Sequence, residues 1–303
     1  MENLKMIEEI QRLKKKKNAV ILAHNYQIPE IQEVADLVGD SLKLSQVAAE
    51  TDADIIILSG VRFMAESAKI LSPNKKVLLP AYDAGCPMAD MIDVDKLRAF
   101  KEEHPGAPVV CYVNSSAEVK AESDICCTSS NAIKIIKSIP SKKILFVPDM
   151  NLGSYIAKQV PEKEIVLFKG FCITHHRVKP TEVDQVREAY PKAKVLIHPE
   201  AAPEVVEKAD FVGSTSQIIN YAKESNCDTF IIGTEMGVMH KLQKDNPTKK
   251  FYLLSPGLVC NNMKKNRLVD VYEALLEEKH EITVDENIRE KALGSLEKML
   301  RIS

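Results

Sequence analysis

No apolar stretch in this chain approaches the roughly 18 residues needed to cross a bilayer, and the opening MENLKMIEEIQRLKKKK carries no signal-peptide apolar core. Neither a membrane span nor export is expected, and a cytoplasmic location is. A surplus of one charge is also missing: 41 Lys and Arg against 43 Asp and Glu leave a net charge of −2. That balance gives no basic field for nucleic acid or an anionic membrane. The one basic run, Lys14 to Lys17, closes a short amphipathic helix and is expected to be its solvated last turn. Gly/Ser linkers and low-complexity tracts are absent, so no swinging tethers are expected. Cys-x-x-Cys pairs are absent too, and the cysteine count of seven is odd. A disulfide framework is therefore not expected, which leaves reduced thiols or metal ligands. What remains is ordinary globular material, 45% hydrophobic and 28% charged, long enough to bury a substantial core.

That material is written three times. Cys86, Cys172 and Cys260 each follow a short β-rich run and stand 86 and 88 residues apart. His24, Tyr112 and His198 end the apolar runs AVILAH, PVVCY and KVLIH at spacings of 88 and 86. Asp36, Asp124 and Asp210 repeat at the same intervals, as do Ser41, Ser129 and Thr215. Matched landmarks in three consecutive copies are the signature of an internal repeat. Each copy reads βαβαβ, with runs such as AVILA, DIIILSG and KKVLLP suited to parallel strands buried on both faces. In the first copy Pro29 opens a helix expected to run to about Val38, and Asp40 and Ser41 open the next. The expected division is 1–89, 90–176 and 177–263 as three α/β repeats and 264–303 as a tail. The tail reads as a helix (RLVDVYEALLEEK), an edge strand (EITV) and a last helix (ENIREKALGSLEKMLRI).

In open parallel sheets, ligands bind beyond the C-terminal strand ends, beside helix N-termini. Every repeated polar landmark falls in such a place, so a threefold axis would bring all of them to one central site. For the hydroxyls Ser41, Ser129 and Thr215 plain N-capping is the competing reading. For the three cysteines the bland alternative is burial as small apolar residues. Their equivalent placement favours thiolate ligands of an iron–sulfur cluster, in which three ligands for four irons leave one iron open as a Lewis acid. Zinc is the rival metal, but structural zinc draws on close Cys pairs that are missing. Cys111, Cys126, Cys127 and Cys227 do not recur between copies and read as structural. His175 and His176 lie close behind Cys172. A role for His175 beside the cluster or substrate competes there with an ordinary hydrogen-bonded histidine, and His104, His240 and His280 read as structural or solvated. Asp149 and Glu235 are equivalent positions that helix capping explains as well as catalysis does. Glu200, two residues past His198, is the best acid–base carboxylate, and Asn114 is its counterpart.

The runs LAHNYQIPEIQEVAD, GDSL, FMAE, CPMA, YVNSSAE, TSSNA, PDMNLG, HPE, GSTSQ, GTEMG and CNNMKKN resemble, in order and nearly end to end, those of the quinolinate synthase family. The resemblance implies three αβα sandwich domains with parallel sheets about a pseudo-threefold axis. It also implies a [4Fe-4S] cluster on Cys86, Cys172 and Cys260, and a place in NAD biosynthesis. The implied reaction condenses iminoaspartate with dihydroxyacetone phosphate to quinolinate, losing phosphate and water. By the same resemblance His24, Tyr26, Tyr112, His198 and Glu200 are catalytic, and Ser41, Asn114, Ser129 and Thr215 join them around the substrate. The unstable imine implies a partner oxidase or dehydrogenase that supplies it. Two departures stand out: Cys260 has no neighbouring cysteine for a local disulfide, and Phe171 and Ile173 flank Cys172 where His and Pro are common. The competing functions are another [4Fe-4S] hydro-lyase and a cluster-based redox sensor. The sensor would need a partner or nucleic-acid surface, and no basic stripe or helix-turn-helix pattern is present.

Overall fold

A computed structural model describes residues 3–303. The 1–89 repeat therefore has its first two residues, and the N-terminal reading its first two positions, outside the described residues. The chain begins α1 (Asn3–Lys16), β1 (Ala19–His24), α2 (Pro29–Val34), β2 (Leu37–Gly39), α3 (Ser41–Glu50), β3 (Ile55–Ser59), α4 (Arg62–Leu71) and β4 (Lys76–Leu78). It continues α5 (Val94–Glu102), β5 (Val109–Tyr112), α6 (Ala117–Ala121), β6 (Ile125–Cys127), α7 (Ala132–Ser138), β7 (Lys143–Val147), α8 (Met150–Gln159) and β8 (Glu164–Leu167). The third series is α9 (Ile173–His176), α10 (Pro180–Ala189), β9 (Lys194–Ile197), α11 (Pro203–Val206), β10 (Phe211–Val212), α12 (Thr215–Glu224), β11 (Thr229–Gly233), α13 (Val238–Asp245) and β12 (Lys250–Leu253). Helices α14 (Leu268–Glu277) and α15 (Glu286–Ile302) close it.

The strands form three four-stranded parallel sheets with one order, β2-β1-β3-β4, β6-β5-β7-β8 and β10-β9-β11-β12. Helices cover both faces. In the first sheet Leu22, Ile56 and Leu58 enter one core while Ile21, Ala23, Ile55 and Ile57 enter another. In the third, Leu196, Phe230 and Ile232 face one way and Val195, Ile197 and Ile231 the other. Alternate residues of a strand point to opposite faces, so a continuous apolar run is what a sheet buried on both sides requires. The expected αβα layering is therefore present three times.

Each sheet has one strand more than βαβαβ. Helix α2 stops at Val34 and not near Val38, and Leu37–Gly39 pairs with β1, Leu22 opposite Leu37. The repeated aspartates make this turn. Asp36 accepts the Ile21 N–H at 2.8 Å, Asp124 the Val109 N–H at 2.7 Å and Asp210 the Val195 N–H at 2.8 Å. The backbone N–H of each aspartate returns a bond to the carbonyl of the same strand residue. This reciprocal pair starts the edge ladder in every copy.

The tail departs from expectation at one element. The EITV segment makes a single antiparallel bridge, Glu281 to Leu78, and no strand. Helix α14 packs on α1 and β3, and α15 lies across α6, β6 and α4, so the tail seals the outside of the first two sheets. The Lys14–Lys17 turn is not simply solvated. Lys14 is buried and pairs with Asp36 at 2.7 Å, and Lys17 pairs with Glu278 of the tail at 2.7 Å. Among the described residues no helix is long and apolar enough to cross a membrane.

Candidate active site

The central strand of each sheet, β1, β5 or β9, lies where the strand order reverses, the crevice where ligands of parallel sheets bind. The three crevices meet in one cavity with about 690 Å³ of open space counted to its mouth. All twelve residues expected at a site line it: Cys86, Cys172, Cys260, His24, Tyr26, Ser41, Tyr112, Asn114, Ser129, His198, Glu200 and Thr215. Among the described residues no lysine or arginine does.

A shared turn follows the central strands of the first and third sheets. His24 Nδ1 accepts the Tyr26 N–H at 3.1 Å, and His198 Nδ1 accepts the Glu200 N–H at 3.3 Å. An acceptor at Nδ1 puts the ring proton on Nε2, which in His198 lies 3.3 Å from Ser129 Oγ. Burial pushes His24 down to about 4 and His198 to about 3, so both imidazoles are neutral near pH 7. In the second sheet Tyr112 takes this place, and Ser115 donates to its carbonyl at 3.0 Å.

One hydrogen-bond chain links the three sheets. Tyr112 donates its hydroxyl to Glu200 Oε1 at 2.6 Å, and His175 Nδ1 lies 2.8 Å from Glu200 Oε2. His175 Nε2 is 3.0 Å from Thr234 Oγ1, which is 2.7 Å from the Tyr26 hydroxyl, itself 2.9 Å from Thr215 Oγ1. The roles close consistently when Tyr26 donates to Thr234, Thr234 to His175 Nε2 and His175 Nδ1–H to Glu200. Burial would raise the Glu200 carboxyl, but His198 nearby and the bonds from His175 and Tyr112 hold it below its ordinary value. Burial, reinforced by the Glu200 charge, pushes both Tyr112 and Tyr26 well up.

Sequence reasoning left out Thr234 and weighed His175 only against an ordinary hydrogen-bonded histidine. His175 is 1% exposed, and its ring stacks on His198 at 4.9 Å. Its position three residues after Cys172, one turn of helix, was the available signal. Its partners come from the third repeat, which that spacing does not reveal. Asp149 and Glu235 also do different things. Asp149 caps α8 through the Asn151 and Leu152 N–H groups. Glu235 accepts the Cys260 N–H at 3.0 Å and pairs with Lys264 at 3.0 Å.

The capping reading of the hydroxyls fails for a specific reason. The caps of α3 and α12 are Asp40 and Ser214, one residue earlier, leaving Ser41 and Thr215 at the first helical position. Ser129 lies in a turn before α7, where Asn131 Oδ1 accepts the Thr128 N–H at 2.7 Å. All three hydroxyls are thus available to the cavity. Asn114 Oδ1 is buried without a hydrogen-bond partner, an acceptor awaiting a donor.

The three cavity cysteines are free thiols in the loops after the last strand of each sheet, and all pack against the same core. Burial pushes Cys86 up to about 12 and raises Cys172 and Cys260 as well. Without a bound cation they hold their protons, which a metal would displace. Val61, Phe63, Met88 and Met263 supply an apolar wall beside them. Three soft donors from three loops suit an iron–sulfur cluster. A second donor group overlaps it: the ligand atoms of Cys172, His175 and Glu200 all lie within 4.8 Å of one another. Cys111, Cys126 and Cys127 are buried in β5 and β6, and Cys227 precedes β11; none lines the cavity.

A buried acid–base chain sharing one cavity with three thiols, at the switch points of three parallel sheets, is the equipment of an enzyme. Residues 8–301 match the family described as quinolinate synthetase A protein. The chain is 74% identical over 302 residues to the quinolinate synthase of Alkaliphilus metalliredigens, covering 100% of both chains. It is 59% identical over 302 residues to that of Clostridium kluyveri and 58% over 303 residues to that of Caldicellulosiruptor saccharolyticus, again covering 100% of each chain. The chain belongs to the quinolinate synthase family, as its motifs implied.

Proposed function

We propose that the chain condenses iminoaspartate with dihydroxyacetone phosphate to quinolinate, with loss of phosphate and water, as a step of NAD biosynthesis in the cytoplasm. In this reading Cys86, Cys172 and Cys260 hold a [4Fe-4S] cluster. The observation that carries it is the convergence of one thiol from each repeat on the cavity that also holds the Tyr112–Glu200–His175 chain. The repeats then act as three domains, 1–89, 90–176 and 177–263, with 264–303 as a bracing tail.

When bound, the cluster supplies an iron without a protein ligand, a Lewis acid for a carbonyl or departing hydroxyl oxygen. The rest of the work falls to the chain. With no lysine or arginine of the described residues on the wall, the carboxylates of the diacid are met by neutral donors: the hydroxyls of Ser41, Ser129 and Thr215, and the first N–H groups of α3 and α12. His24 and His198 present Nε2–H to the same space. Asn114 Oδ1 accepts a substrate N–H. Glu200 takes a proton during enolisation, and Tyr112, at 2.6 Å, returns one during dehydration. His175 keeps Glu200 aligned, and Tyr26 and Thr234 complete the chain. An imine that hydrolyses in water must be made nearby, so an oxidase or dehydrogenase of an amino diacid is the expected upstream partner.

The test is iron, sulfide and spectra on protein purified without oxygen, followed by an assay for quinolinate. About four irons and four sulfides per chain are expected, lost in Cys86→Ala, Cys172→Ala and Cys260→Ala and kept in Cys126→Ala. A single metal per chain that survives Cys86→Ala but not His175→Ala would overturn the cluster in favour of the Cys172–His175–Glu200 group. A cluster without quinolinate would point to another hydro-lyase or a sensor.

A further inference from the structure

A second cavity, with about 940 Å³ of open space, lies against the first. Ser129 and Ser130 line both. Its outer wall carries Lys134 and Lys137, exposed and one turn apart on α7, with Tyr155 and Gln217 opposite. Neither lysine makes an ion pair among the described residues, and no carboxylate lines this space. Two other cavities that carry lysines also hold acids, Glu207 in one and Glu33 and Asp36 in the other. The inner cavity has the opposite character, with Asp40, Glu200 and Glu235 on its wall and, among the described residues, no lysine or arginine. A phosphate dianion freed among carboxylates is therefore drawn outward, toward unpaired ammonium groups.

The boundary between the two spaces is the Ser129–Ser130 turn. Ser130 Oγ donates to Asp40 Oδ2 at 2.7 Å and lies 2.9 Å from Ser214 Oγ, so it touches the helix caps of the other two repeats. The same turn is also held by the Ser130 N–H, which donates to Thr128 Oγ1 at 3.2 Å, by Ser129 Oγ at 3.3 Å from His198 Nε2, and by a longer bond from Gln217 Nε2 to the Ser130 carbonyl at 3.5 Å.

We propose that the outer cavity is a subsite for a phosphate monoester or its released phosphate, held by Lys134 and Lys137 and joined to the inner cavity across Ser129 and Ser130. The proposal rests on a phosphate-bearing substrate, as in the reaction above.

The experiment compares cluster-loaded enzyme with Lys134→Gln/Lys137→Gln and with Lys142→Gln/Lys223→Gln, a pair of exposed lysines elsewhere with the same charge change. In the first pair, inhibition by inorganic phosphate and the KM for the triose phosphate should both weaken by about tenfold, with the control pair within about twofold of wild type. The KM for the imine, inhibition by quinolinate, and iron content should not move. Equal effects in both pairs, or a parallel rise of both KM values, would overturn the subsite. Inorganic phosphate is also titrated calorimetrically into each protein without other substrates. Lysine-dependent binding in an enzyme that makes no quinolinate would overturn the reaction and keep the subsite. Active enzyme whose phosphate binding ignores the lysines would do the reverse, and an enzyme with neither would overturn both.

Discussion

Glu235 accepts the backbone N–H of Cys260 at 3.0 Å from a position with no solvent exposure, and its other oxygen accepts the Gly237 N–H at 2.7 Å. Lys264, four residues past Cys260, pairs with this carboxylate and donates to the Tyr26 carbonyl at 2.5 Å. A third-repeat carboxylate thus sets both a candidate ligand loop and the first-repeat loop that carries Tyr26. Glu235→Ala strands two N–H groups and a largely covered ammonium, so metal-free protein should lose about 2–4 kcal/mol. Glu235→Gln, which keeps an acceptor, should lose less. Urea unfolding reads both, and a loss below about 1 kcal/mol for the alanine variant would show that the pair bears no weight.

Gly237 makes the same contact sterically. A Cβ there would sit 2.5 Å from the Tyr26 carbonyl carbon and 2.6 Å from its Cα, and backbone atoms cannot rotate away. Gly237→Ala should cost about 1–3 kcal/mol and depress activity by shifting Tyr26. Gly294, inside α15 with nothing within 4 Å of its missing Cβ, is the contrast. Gly294→Ala should stabilise by about 0.5–1 kcal/mol, since alanine loses less entropy in a helix. Thermal melts of the two variants moving in the same direction would refute the packing argument.

These contacts mark where the sequence stopped being readable. A spacing of 86 or 88 residues exposes three copies of one unit, because each copy needs the same strand ends, turns and caps to build its sheet. Hence the positions of His24, Tyr112 and His198 and of the three cysteines were legible. Strands as short as Phe211–Val212 were not, because two residues carry no period, and the aspartates that start them looked like landmarks without a job. Capping competed with a site role for Ser41 and Thr215 because caps and first helical residues share a composition. His175 was underrated because Glu200 and Thr234, which give it meaning, are 25 and 59 residues away in another repeat. Periodicity reports a unit's own architecture, and contacts between units lie outside it.

His24 couples the site to acid stability. Its folded value is depressed from 6.5 to about 4 by burial. An unfolded chain takes up the proton through 6.5 while the folded one refuses it until about 4. The stability that His24 contributes is therefore complete above 6.5 and lost as pH falls from 6.5 to 4, up to about 3 kcal/mol. His24→Gln should have a flatter profile across that window. Unfolding of metal-free wild type and variant at pH 7, 5.5 and 4.5 checks it, and parallel curves would show that His24 does not resist protonation.

Glu278 works in the same direction at lower pH, outside the site. Lys17 and Lys76 bind separate oxygens of its carboxylate at 2.7 and 2.5 Å, tying the end of α14 to α1 and β4. The Lys17 bond, then that of Lys76, lowers Glu278 from 4.5 to about 2. A depressed carboxylate contributes stability that is full above 4.5 and lost as pH falls toward 2. The three side chains remain 20 to 37% exposed, so water screens the pair and the contribution is about 1 kcal/mol. Glu278→Gln should therefore be less stable than wild type by about that much at pH 7, with the gap narrowing by pH 3. Added salt at pH 7 should narrow it as well, because exposed pairs are screened within a Debye length. A gap that survives both acid and salt would mean that Glu278 acts through packing at the end of α14 and not through its charge.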